Sequence, residues 1–297
     1  MRIILHNNIL KMTICKYKME EFVKKKSIFV SAMSIIAIFS TLVFCIYQNK
    51  NLKLVDVSAQ VTEDLSKISN KKICWGIKRS DNHNQPDVGK ENKRIMDEYN
   101  GLCLGNSESK YVYLTFDAGY EAGYTEKIIE VLKQNDVKAT FFITGHYLNT
   151  QPDLVQKMIE NGNTVGNHTV NHKSMPEIDL NTIKDEVMKL HTAVYEKFGY
   201  EMKYIRPPKG ELSERTINYT NSLGYKTVMW SLAYDDWDEN KQGREAYGKS
   251  KILDNVHNGA IILLHSNSKD NSNILDEVIK EIKEMGYEFK TLDEFER

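Results

Sequence analysis

The chain has 297 residues, a formal net charge of -1, 41% hydrophobic and 27% charged residues. This is an ordinary globular balance, which excludes a disordered or collagen-like chain; the near-zero charge, with no basic helix interleaved with aromatics, gives no electrostatic reason to bind nucleic acid, and no such partner is expected. Only 5 prolines and 16 glycines are present, and no period of about 20–50 residues recurs, which excludes a solenoid.

Residues 1–26 are read as a cytoplasmic N-terminal segment, rich in Lys and closing on Lys24, Lys25 and Lys26. Residues 27–47 (SIFVSAMSIIAIFSTLVFCIY) run 21 positions without a charge. As a helix they extend about 31 Å, close to the thickness of a bilayer core. The preceding lysines place the N-terminus inside and the remainder outside, so a single-pass cell-membrane protein is expected, with its catalytic domain extracytoplasmic. A cleaved signal peptide is the nearer rival, but the apolar run is longer than a usual signal core. Residues 48–72 are polar and read as a stalk, and 73–109 as an N-terminal extension packed on the domain that follows. Cys74 and Cys103 would face an oxidising exterior that permits a disulfide; the sequence does not decide whether they meet.

From residue 110 strands and helices alternate. Strands are expected at 111–116, 138–144, 164–169, 204–206, 226–233, 260–265 and 287–292. Helices are expected at 125–135 (capped by Thr125), 152–161, 181–198, from Ser213 to Gly224, 244–256 and 273–285. About seven strand–helix repeats over 110–297 predict an α/β fold, a distorted parallel (β/α) barrel preceded by one transmembrane helix and a stalk. Asp117, His168, His172, Arg206, Asp235, Asp236 and His265 all follow or end strands. In a parallel barrel those ends share one face, where such folds place their active sites.

Two imidazoles four residues apart, in His168-Thr-Val-Asn-His172, can point at one metal ion. Asp117 and His265 supply a possible base and acid. Arg206 can hold a carboxylate ionised through a bidentate fork. Asp236 can orient His265, and Trp237 offers an aromatic face for a sugar ring or for core packing. The prolines after Arg206 stiffen the loop that carries Lys209.

TFDAGY (115–120), HTVNH (168–172), RPPKG (206–210), DW (236–237) and LLH (263–265) resemble, in order and spacing, the five motifs of the polysaccharide deacetylase family with the NodB-homology domain, over about residues 110–297. WGIKRSDNHNQPDVGK (75–90) and GYEAGY (119–124) look more like the muramic-acid deacetylases that prepare δ-lactam in spore-cortex peptidoglycan. The resemblance implies metal-assisted hydrolysis of N-acetyl groups on cell-wall glycan. It makes Asp117 the general base, His265 the general acid, Arg206 and Asp236 their supports, and His168 and His172 metal ligands. Tyr120, Pro207, Lys209 and Trp237 are the expected substrate-binding residues. The family motif usually carries a second Asp where this chain has Ala118. A divalent ion, zinc or similar, is therefore expected to bind weakly, unless Asp235 substitutes. The alternatives are a deacetylase of N-acetylglucosamine or chitin-like polymers, or a non-catalytic glycan-binding protein on a membrane stalk.

Overall fold

A computed structural model describes Leu65 and residues 67–297. The segments expected to be cytoplasmic, membrane-spanning and stalk, up to residue 64, lie outside the described residues. Among those described, no helix is long and apolar enough to cross a membrane.

The described part opens with β1 (Ile73–Cys74) and α1 (Lys90–Glu98). There follow β2 (Tyr111–Ala118), α2 (Thr125–Gln134), β3 (Thr140–Ile143), α3 (Gly145–Thr150), α4 (Pro152–Glu160), β4 (Thr164–Asn167) and α5 (Leu180–Phe198). Next come β5 (Tyr204–Ile205), β6 (Glu211–Leu212), α6 (Glu214–Ser222), β7 (Lys226–Thr227), β8 (Leu232–Ala233) and α7 (Glu245–Leu253). The chain closes with β9 (Ala260–His265), α8 (Lys269–Glu284) and β10 (Glu288–Phe289).

The main sheet has the order β7-β5-β4-β3-β2-β9-β8, with β10 beside β2, and every pairing is parallel. It is a curled parallel half-barrel covered by helices. The segment 226–233, expected as one strand, is broken in the middle. Its first residues pair with β5 and its last with β9, at opposite ends of the sheet order. One short segment therefore joins both ends and forces the curl. The break has a local cause: Met229 N–H donates to Leu102 O (2.8 Å) and Leu102 N–H to Thr227 O (2.8 Å), so the extension takes up backbone groups a neighbouring strand would otherwise use.

Alternation along β2 builds two apolar layers. Val112, Leu114, Phe116 and Ala118 face the helices and meet Ile128, Leu132, Ile279 and Ile282. Tyr113 faces the interior with Phe142, Tyr204, Val228 and Ile261. Each such buried Leu, Ile or Phe contributes about 1.5–3 kcal/mol relative to exposure. A third cluster seats the extension: Trp75, Ile95 and Met96 pack on Leu212, Ile217 and Met229. There β1 pairs antiparallel with β6, a small sheet that the alternation did not suggest.

Helix ends follow side-chain caps. Asp179 caps α5 by accepting from Thr182 N–H, and Gly199 ends it in the left-handed region (φ 64°). Ser213 and Thr216 form a reciprocal capping box on α6. Thr125 is the first residue of α2, not its cap. The Glu121 carboxylate accepts the N–H groups of Gly123, Tyr124 and Thr125 instead. Helix α8 begins four residues earlier than expected, because Ser268 caps it on Asn271 N–H. Cys74 and Cys103 are both free thiols, the first exposed and the second buried.

Candidate active site

Five strand ends deliver the site. Asp117 of β2 and His265 of β9 are direct partners across the sheet, so their side chains project from the same face. His168 and Arg206 each stand one residue past a strand. Their positions are fixed by His168 N–H to Ile143 O (2.9 Å) and Arg206 N–H to Asn167 O (3.0 Å).

Arg206 is 0% exposed and sits inside the curl of the sheet. Its Nη1 donates to Asp117 Oδ1 (2.8 Å), its Nη2 to Thr115 Oγ1 (2.8 Å) and its Nε to Val228 O (3.3 Å). Thr115 in turn donates to Ile262 O (2.6 Å). The guanidinium lies 4.2 Å from the centroid of the Phe142 ring. Gly166 makes room for that ring, because a Cβ there would meet Phe142 at 2.5 Å. Burial would push the Asp117 carboxyl up, but Arg206, with His168 and His265, outweighs it and holds the group below the usual carboxylate range.

The two imidazoles of the HTVNH loop face each other, with Nε2 atoms 3.1 Å apart. His168 Nδ1 lies 2.8 Å from Arg206 O, which can only accept, so Nδ1 carries the proton and Nε2 presents a lone pair. That Nε2 is also 3.4 Å from Asp117 Oδ2. Burial lowers His168 against the pull of Asp117. Burial, with His168 beside it, pushes His172 down to about 4. Both rings are therefore neutral at neutral pH, the state in which imidazole binds metal. Two nitrogens on one tetrahedral zinc would lie about 3.3 Å apart, so the pair fits a divalent ion as a two-histidine chelate. Among the described residues no set of three His, Cys, Asp or Glu is arranged to hold a metal. Ala118 is wholly buried and offers no donor. Asp235 is not a substitute ligand: its carboxylate is engaged by Arg244 (3.2 Å), Tyr247 (3.2 Å) and Lys241 (3.6 Å).

On the other side, His265 Nδ1–H donates to Asp236 Oδ1 (2.7 Å), and His265 N–H donates to Asp236 Oδ2 (2.7 Å). Burial would lower this imidazole, but the Asp236 carboxylate more than offsets it and His265 ends above its ordinary value. Asn271 completes the support, donating from Nδ2 to Asp236 Oδ2 (2.6 Å) and to His265 O (3.2 Å). Asn271 and Thr115 were not singled out from the sequence. Thr115 lies within TFDAGY and could have been found from β2 alternation, which puts it on the face of Asp117. Asn271 had no signal, since it belongs to a polar stretch whose helix start was misplaced.

The expected substrate contacts divide. Tyr120 (66% exposed) and Trp237 (58%) present open aromatic faces, and Tyr120 lies 4.7 Å from the His146 ring, centroid to centroid. Lys209 is exposed, and its charge adds to the depression of His172. Pro207 is buried, so it shapes the loop and presents little surface to a ligand. The backbone is left-handed at Thr169 (φ 67°), His172 (φ 55°) and Lys209 (φ 60°), a conformation that costs non-glycine residues on the order of 1 kcal/mol each.

The polysaccharide deacetylase family model matches residues 104–228. The peptidoglycan-N-acetylmuramic acid deacetylase PdaA of Bacillus subtilis is 42% identical over 228 residues, covering 76% of this chain and 87% of that protein. The structure of Bacillus subtilis PdaA, a family 4 carbohydrate esterase, superposes with a TM-score of 0.75 at 41% identity, over 77% of this chain and 98% of that one. A family 4 carbohydrate esterase from Bacillus anthracis superposes with a TM-score of 0.65 at 38% identity, over 77% and 97% of the two chains. A peptidoglycan-N-acetylglucosamine deacetylase of Bacillus cereus is 32% identical over 202 residues, 66% of this chain and 72% of that protein. The chain belongs to the polysaccharide deacetylase family.

Proposed function

We propose that this protein is a hydrolase that removes the N-acetyl group from N-acetylmuramic acid in peptidoglycan, the step that precedes muramic δ-lactam formation in spore cortex. The observation that carries the reading is one opposed pair: Asp117, held ionised by buried Arg206, faces across paired strands His265, held protonatable by Asp236. In this reading Asp117 accepts a proton from the attacking water. The water oxygen bonds to the acetyl carbon, the carbon–nitrogen bond breaks, and His265 Nε2 delivers a proton to the leaving amine. Acetate and a free amine result. His168 and His172 would hold a divalent ion, which supplies Lewis-acid chemistry at the acetyl oxygen when bound.

A protein that only bound glycan would need neither the ionised carboxylate nor the oriented imidazole. Choice of muramic acid over N-acetylglucosamine rests on the higher identity to PdaA and on Lys209, an exposed cation whose charge reaches His172 and which can pair with the lactyl carboxylate. The apolar run at 27–47 would anchor the domain on the outer face of the cell membrane. Protease added to intact protoplasts should then remove the domain, and its full protection would count against this topology.

Acetate release from peptide-free glycan strands tests the chemistry. Asp117→Asn and His265→Ala should each lower kcat by on the order of 10²–10⁴. If either variant keeps near wild-type turnover, the role given to that residue is wrong.

A further inference from the structure

His172 stands in a left-handed conformation (φ 55°), three residues after Thr169 in the same strained region (φ 67°). Within the loop, Thr169 N–H donates to Asn167 Oδ1 (2.9 Å) and His172 N–H donates to Thr169 Oγ1 (3.1 Å). These bonds are local and do not fix where the loop sits. Two mounts do: Gly145 N–H donates to Thr169 O (3.1 Å) at the front of the loop, and one turn of α5 holds the part next to His172. Glu186 is 3% exposed and lies on that helix, behind the loop. One carboxylate oxygen accepts Asn171 N–H (2.7 Å) and the other accepts Asn171 Nδ2–H (2.7 Å). Its backbone oxygen accepts Val170 N–H (3.0 Å), and Lys173 Nζ lies 3.3 Å from its carboxylate. The neighbouring Val187 O accepts Asn167 Nδ2–H (2.9 Å). A buried acid thus grips the residue immediately before His172 by two bonds.

We propose that Glu186 is a positioning residue: through Asn171 it sets the strained turn that holds His172 Nε2 opposite His168 Nε2, and so tunes the affinity of that pair for a divalent ion. This role rests on His168 and His172 holding the ion, as proposed above. Groups that orient metal ligands typically change metal affinity by 10–100-fold when removed. A merely structural Glu186 would change folding stability and leave affinity per folded molecule untouched.

Zinc affinity by calorimetry, with thermal melting of the chelated protein, distinguishes the two. Glu186→Ala should weaken zinc binding by about 10–100-fold. Glu186→Gln should stay within about threefold, because its amide can still accept Asn171 N–H while the Asn171 side chain turns its oxygen toward the new NH₂. Asn171→Ala, at an exposed position, should weaken binding to an intermediate degree. A folded Glu186→Ala protein that binds zinc as wild type does overturns the proposal. If Glu186→Ala does not fold, Asn171→Ala decides, and unchanged affinity there overturns it. A wild type that binds no zinc, or binds equally well as His168→Ala, overturns the two-histidine reading and the proposal with it.

Discussion

Replacing Asp236 by Asn probes the acid side of the site with little change of shape. Asp236 is buried, with one oxygen on His265 Nδ1–H (2.7 Å) and the other shared by His265 N–H (2.7 Å) and Asn271 Nδ2–H (2.6 Å). An asparagine has one acceptor oxygen, and the position facing two donors will take it. Its NH₂ then faces His265 Nδ1, which must give up its proton to present a lone pair. The imidazolium loses a charge-assisted hydrogen bond of about 1.5–3 kcal/mol. The interaction that raises His265 above its ordinary value against burial goes with it. The acid form exists below the pKa of His265 and is lost as pH rises through it, so the alkaline limb of kcat/KM should move toward lower pH. At a pH on that limb, kcat/KM should fall by roughly 10–100-fold. The assay is acetate release from glycan across the pH range, for wild type and Asp236→Asn. An unchanged alkaline limb would refute the assignment of His265 as an acid supported by Asp236.

Arg206→Met leaves Asp117 buried beside no cation, so it should destabilise the protein by on the order of 3 kcal/mol in denaturant titration and also lose activity. Arg206→Lys should not restore activity, since an ammonium cannot bridge Asp117 and Thr115 as the fork does. In the metal-free protein, stability should decline as pH falls from 6.5 toward about 4, because His172 is held at about 4 against an ordinary 6.5 and the unfolded chain takes up the proton first. His172 contributes on the order of 3 kcal/mol of this; burial lowers His168 in the same direction, so His172→Ala should reduce the decline and leave the part that belongs to His168. His265 does not cancel it: a raised group gives its stabilisation in full below its ordinary value and loses it only as pH rises. Lys209→Ala should narrow a preference for muramic acid over chitin oligomers by about one to two decades in kcat/KM, the worth of one charge-assisted hydrogen bond. An unchanged ratio would remove Lys209 from recognition.

Much of the site was legible because it sits where strand ends meet a shared face. Asp117 and His265 were legible as a possible base and acid since each ends an apolar run; that their strands are neighbours with the two residues in register was not. Arg206 was legible as the partner of Asp117, but its depth was not: its distance from its strand says nothing of the Phe142 ring beneath it or of Gly166, whose missing Cβ admits that ring. The two halves of 226–233 could not be separated by pattern, since Val228, Met229 and Trp230 are as apolar as a strand requires. What divides them is Leu102, more than a hundred positions earlier in the chain. Glu186 was illegible for a related reason: on a helix, one acidic residue among several looks like solvated surface until the loop it holds is seen packed against it.

Whether this site deacetylates muramic acid is decided by one assay. The purified domain, supplied with zinc, should be incubated with peptide-free peptidoglycan strands and, in parallel, with chitin oligomers, and the products analysed by mass spectrometry residue by residue. Muramic residues should lose acetyl, faster than chitin does, and Asp117→Asn should release none. Acetyl loss confined to N-acetylglucosamine, or equal rates on both substrates, would contradict the muramic assignment.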